Sequence, residues 1–150
     1  IRYLRKEGKA MNVKVVYATK TKHSKKLAEA IASKLQIKAQ NISEHPVLED
    51  VDLLFIAGGI YGGESLPGMI GFVKELDNSK VKNVVLITSC TSKTTGQATV
   101  RKILNEKNID VMDEFICQGS FLFFGFGHPN RADIHDAAEF SRRIAGQTHV

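Results

Sequence analysis

Short apolar runs that alternate with helical-period segments along the whole chain predict an α/β domain. Its expected form is a three-layer, doubly wound fold on a five-stranded parallel sheet. Two observations carry this. The runs "VKVVYA", "DLLFIAGG" and "NVVLITS" are rich in Val, Ile and Leu and do not strictly alternate, as strands buried on both faces read. The segments between them repeat their apolar residues at helical spacing, and parallel neighbours need such crossovers. At 150 residues the chain suits one core.

The elements follow in order. The first strand ends near Ala18 and feeds a helix with Leu27, Ile31 and Leu35 on its inner face. A second strand is expected around Lys38 to Ile42, and a third ends near Gly58. Pro67 suits the first turn of the next helix, whose inward residues are Ile70, Val73 and Leu76. The strand ending near Ser89 leads to a helix carrying Val100, Ile103 and Leu104. A last strand is expected within Val111 to Phe124, with Gly119 and Ser120 marking a bulge or break. Asn130, after Pro129, caps a final helix with Ile134, Ala138 and Ser141 inward, and Gly146 ends it behind Arg142 and Arg143.

Composition bounds the partners. Residues 1–10 hold Arg2, Arg5, Lys6 and Lys9 against Glu7, a net +3 of the chain's +5. They are expected to be an N-terminal extension or expression remnant ahead of a domain over 11–150, with a nucleic-acid or membrane tether as the alternative; the basic balance is therefore not counted as evidence for such a partner, and neither nucleic acid nor membrane is expected. No run is apolar enough to cross a bilayer, and a cytoplasmic, soluble protein is expected. Cys90 and Cys117 have neither zinc-ligand nor redox-pair spacing, and are expected to be buried, reduced thiols.

In an open parallel sheet, ligands bind beyond the carboxyl ends of the strands, where strand order reverses. Three loops lie there. The first, within "YATKTKHSKK", offers Thr19, Lys20, Thr21, Lys22, His23 and Ser24 at a strand-to-helix junction. Free amides and the positive end of the helix dipole suit a phosphate there, with Ser24 as a plain N-cap the alternative. Lys25 and Lys26 in the first turn oppose the dipole by about a few tenths of a kcal/mol each, a conflict that a dianion would relieve. The second loop, "GGIYGGES", places Ile60, Tyr61, Gly62, Gly63 and Glu64 among glycines. It suits close approach to a planar ligand against the Tyr61 ring, or a tight turn with a surface tyrosine. The third, "SCTSKTTG", contributes Ser89, Cys90, Thr91 and Gly96 as small groups for the rim of a heterocycle.

Together, in this order, the three loops resemble those of a short-chain flavodoxin. That family's first loop has the pattern T-x-T-G-x-T around the FMN phosphate, matched here by Thr19, Thr21 and Ser24. Its second loop carries a residue that stacks on the isoalloxazine, a glycine whose peptide serves N5, and an acid for N3–H; Tyr61, Gly62 and Glu64 correspond. "GHPNRADIHDAAEFSRRI" also resembles the last-helix segment of flavodoxin domains, so the likeness spans Asn12 to Ile144. The resemblance implies strand order 2-1-3-4-5, FMN as cofactor, and electron transfer or a small flavin-dependent oxidoreductase activity. Its partner would be a redox protein or a small-molecule electron acceptor, and no catalytic side chain is required. Two departures stand out. Lys22 replaces the family's glycine, so either it adopts a conformation open to side chains, positive φ being costly for lysine, or the loop is distorted, and the third loop lacks a second aromatic, whose place "FLFFGFG" could take. These departures sustain a second reading, a flavodoxin-fold domain that has lost FMN and serves as a non-catalytic binding module.

Other functions on similar sheets fit less well. A receiver domain needs acids at the ends of the first and third strands for Mg²⁺, and these read Ala18-Thr19 and Ala57-Gly58. A low-molecular-weight phosphatase needs arginine six residues after its cysteine, and Gly96 stands six after Cys90. Neither a G-x-x-x-x-G-K-[ST] loop nor a G-x-G-x-x-G fingerprint occurs. His128 suggests either a pocket residue or a turn histidine; His45, His135 and His149 have no metal spacing. Phe121, Phe123, Phe124 and Phe126 read as core, with a homodimer or docking patch as the alternative.

Overall fold

The computed structural model describes Leu4, Gly8 and residues 10–90, 96–118 and 130–147. Five strands form the parallel sheet: β1 (Val13–Tyr17), β2 (Ala39–Asn41), β3 (Val51–Tyr61), β5 (Val81–Cys90) and β6 (Asp110–Gln118). Their spatial order is β2-β1-β3-β5-β6, the expected 2-1-3-4-5 once a short extra strand is set aside. That strand, β4 (Glu64–Ser65), pairs antiparallel with the end of β3. Four α-helices among the described residues complete the layers: α1 (His23–Lys34), α2 (Pro67–Lys74), α3 (Ala98–Glu106) and α4 (Arg131–Gln147).

Period-two alternation divides the core. Val15, Leu53, Phe55, Val85 and Ile87 point to one face and pack under α1 and α4 with Leu27, Ile31, Ala137 and Ile144. Val16, Leu54, Ile56, Val84 and Leu86 point to the other and meet Met69, Val73, Val100 and Leu104 of α2 and α3. β3 is buried at every position but Tyr61, since it has a strand on each side and helices above and below.

Boundary residues behave as their chemistry requires. Pro67 is the first residue of α2, where its missing N–H costs nothing. Asn130 and Asp133 exchange amide-to-side-chain hydrogen bonds at 2.9 Å, closing the start of α4. Several details differ from the sequence reading. Of the inward residues expected around α2, Val73 and Leu76 are buried, Met69 joins them one turn before Val73, and Ile70 is half-buried at the edge of that face. α4 runs through Gly146 to Gln147. The irregularity in the last ladder falls between Val84 and Val85, where the register of β6 skips Met112. The expected break at Gly119–Ser120 lies outside the described residues, as do Thr91, Phe121, Phe123, Phe124, Phe126, His128, Pro129 and His149. No helix among the described residues is long and apolar enough to cross a membrane.

Candidate functional site

The carboxyl ends of β1, β3 and β5 lie side by side. Tyr17 is opposite Ala57 and Gly59 is opposite Ser89 in the ladders, and the Ala18 amide donates to the Ala57 carbonyl at 3.2 Å. The first loop and the glycine-rich hairpin are therefore neighbours by construction of the sheet.

In the first loop, Lys22 is the N-cap of α1 with φ 68° and ψ 0°, a left-handed conformation, and no side chain caps the helix. The loop thus keeps a glycine-like backbone at the departure from the family pattern, at a cost for lysine of roughly 1–2 kcal/mol. Lys26 makes the first intrahelical bond, to the Lys22 carbonyl at 3.1 Å, so the Ser24 and Lys25 amides precede the helix's own ladder. Ser24 is fully buried at the second helical position; it is not the N-cap, and its Oγ has no hydrogen-bond partner among the described residues. The Thr19 Oγ1 is likewise buried and without partner. Two orphaned hydroxyls, in the loop and in the first turn of a helix whose leading amides are outside its own ladder, are what a phosphate seat would contain, since a buried hydroxyl without a partner costs free energy unless something else bonds to it.

Charge around the seat is positive. Lys20, Lys22, Lys25 and Lys26 are exposed, no acid stands in the first turn of α1, and among the described residues only Lys25 of the four has an ion pair, to Glu29 at 3.9 Å. His23 lies 3.0 Å by Nδ1 from the Thr21 hydroxyl. Partial burial, then repulsion from Lys26, hold its pKa below the usual histidine value.

The second loop is tighter than its glycines suggested. β3 continues through Gly58, Gly59 and Ile60 to Tyr61, and β4 returns with Ile60 opposite Ser65 and Tyr61 opposite Glu64. The turn consists of Gly62 and Gly63 alone, at φ 61° and 82°, both positive as a two-residue hairpin demands. The Tyr61 ring folds back over Gly59, where a Cβ would stand 2.7 Å from ring atoms. Its hydroxyl reaches the first loop, 3.3 Å from the Lys20 amide and 3.5 Å from the Thr21 hydroxyl, while the Lys20 ammonium sits 5.9 Å over the ring. Glu64 has both oxygens engaged at 2.8 Å, by the Ser65 amide and by the Thr99 hydroxyl of α3.

At the third position Ser89 and Cys90 are the buried last residues of β5, and Cys117 beside them in β6 is buried too. Gly96 lies against Glu114, whose oxygen would be 2.6 Å from an added Cβ. The sequence reading missed the cluster around it. Gln97, fully buried, donates from Nε2 to the Ile87 carbonyl and the Thr88 hydroxyl, both at 3.2 Å, and more weakly to the Ile56 carbonyl at 3.4 Å. The Glu114 carboxylate accepts from the Gln97 amide at 2.8 Å, from Arg101 at 3.1 Å and from the Thr88 hydroxyl. This knot ties the start of α3 to three strands, β3, β5 and β6. Its only sequence signal was a glutamine after a glycine just ahead of an apolar helix.

Comparison with known proteins agrees with this architecture. Residues 14–121 match the model of the Flavodoxin domain. An uncharacterized protein of Methanocaldococcus jannaschii is 28% identical over 135 residues, covering 82% of this chain and 90% of its own. A flavodoxin from the domain Archaea superposes with TM-score 0.70 at 17% identity, covering 92% of this chain and 99% of its own. Oxidised Flavodoxin 2 from Bacillus cereus gives 0.65 at 15%, covering 90% and 97%. With more than half its length matched and the strand order observed, this chain belongs to the flavodoxin domain family.

Proposed function

We propose that this protein binds FMN at the carboxyl edge of its sheet and works in electron transfer or as a small flavin-dependent oxidoreductase, in the cytoplasm. The observation that carries this reading is the pair of buried hydroxyls, Thr19 in the first loop and Ser24 in the first turn of α1, that have no partner among the described residues. Family members usually hold FMN, and the donor set here fits its phosphate: two hydroxyls, the Thr21 hydroxyl, and amides at the positive end of a helix. His23 and the lysines around it add positive charge, which attracts a dianion without supplying a rigid contact.

The ring would lie toward the hairpin. Tyr61 offers an aromatic face, the Gly62 peptide can rotate because no side chain restricts it, and Ser89, Cys90 and Gly96 would border the other edge. Bound FMN supplies one- and two-electron chemistry, and the chain's contribution is binding, orientation and the polarity of its surroundings. The Thr99 hydroxyl and Ser65 amide hold Glu64 at the hairpin base, so its carboxylate is positioned before any ligand arrives. A redox protein or a small-molecule acceptor would take the electrons at the exposed edge.

Titration of the purified protein with FMN tests this. Saturable binding that is weakened at least tenfold by Thr21→Ala or Gly62→Ala supports it. Protein that takes up no FMN contradicts it and leaves the non-catalytic binding module.

A further inference from the structure

Tyr61 does more in this fold than offer a ring. Its hydroxyl crosses from the hairpin to the first loop and stands within reach of the Lys20 amide, in the same loop between Thr19 and Thr21, and of the Thr21 hydroxyl, which the phosphate seat would use. Three further features hold it there. The ring lies in the space that Gly59 leaves by lacking a Cβ, the Lys20 ammonium covers the ring face, and the two-residue Gly62–Gly63 turn directs the strand end back on itself. Phenylalanine could fill the same space over Gly59, but only tyrosine carries an oxygen to accept from a main-chain amide.

We propose that the Tyr61 hydroxyl is a built-in competitor for the anion seat, so that a phosphoryl group must displace it from the Lys20 amide before that amide can grip the ligand. The inference rests on the phosphate-seat reading of the first loop. A phenol oxygen and a phosphate oxygen are both acceptors, and one N–H serves one of them well at a time. The phosphate carries the larger charge and recruits the Thr19 and Ser24 hydroxyls, which Tyr61 does not reach by any hydrogen bond in the structure, so the exchange favours the ligand. Once released, the ring becomes available at the hairpin as an aromatic face, and the Gly62–Gly63 turn is the place where the chain can accommodate that swing. The design couples the two ends of the site: arrival of the anion frees the residue that meets the heterocycle.

Tyr61→Phe isolates the hydroxyl while keeping the ring. Before any ligand is added, the Lys20 amide should shift in the NMR spectrum of the variant and exchange its hydrogen several-fold faster; an unchanged amide would overturn the contact itself. FMN should bind the variant roughly threefold to tenfold more tightly than the wild type, the factor that one net hydrogen bond represents. Equal or weaker binding by Tyr61→Phe overturns the competition. Inorganic phosphate, titrated separately, should show the same ordering. If phosphate binds more tightly to the variant while FMN binds neither protein, the competitor stands and the FMN reading falls. If neither ligand binds either protein, the loop is no anion seat and both fall.

Discussion

Ser24 keeps a hydroxyl in a fully buried position where nothing among the described residues bonds to it. A side chain chosen for stability alone would be alanine there, because a desolvated hydroxyl without a partner is unfavourable. Ser24→Ala should therefore raise the unfolding free energy by about 1 kcal/mol while weakening FMN about tenfold or more, as loss of a hydrogen bond to a charged group does. Chemical denaturation and a binding titration on the same variant read the two opposite effects. His23 gives a second test. Its folded pKa is depressed by burial and Lys26, with the Lys20 and Lys22 cations nearby in sequence, so the folded state resists its protonation. Its contribution is present above about pH 6.5, the ordinary histidine value, and is lost as pH falls below that toward the folded value. Melting temperatures at pH 7.5 and 5.5 should show the wild type losing more stability on acidification than His23→Gln.

At the scale of elements, α1 begins at a strained residue. Lys22 holds φ 68° with no capping side chain, so Lys22→Gly should stabilise the protein by about 1 kcal/mol, measured by urea unfolding, with α1 otherwise unchanged. The strands and helices were readable from the sequence because their periodicity is a local property: "VKVVYA" and "DLLFIAGG" became β1 and β3, and Leu27, Ile31 and Leu35 are all buried. β4 was not readable. Two residues are too few to show a period, and the hairpin exists because Gly62 and Gly63 both take positive φ after a strand that outlasts its apolar run. The knot of Thr88, Gln97, Arg101 and Glu114 was hidden for another reason. Its members come from β5, the start of α3 and β6, and polar residues scattered along a chain give no signal until the sheet brings them together.

The whole molecule is organised about β3, which carries the glycine hairpin at one end and both halves of the core along its length. Phe55 and Leu54 lie back to back on it, fully buried, one under α1 and α4 and the other over α2 and α3. Phe55→Ala should cost about 3–5 kcal/mol, seen as a fall in denaturation midpoint, since it removes a large side chain from a close-packed face. The strand order that the resemblance implied is the observed one, and it makes the first loop and the segment after β3 neighbours, because the ends of adjacent parallel strands must adjoin. The turn of the Tyr61 side chain toward the first loop was not foreseeable, since it depends on the strand running three residues past Gly58.

The account turns on the first loop gripping a phosphate, and comparing FMN with riboflavin tests that most directly, because the two differ only in that group. Fluorescence titration under identical conditions should give FMN an affinity about a hundredfold or more above that of riboflavin, the worth of several charge-assisted hydrogen bonds. Equal affinities, or no binding of either, would contradict it.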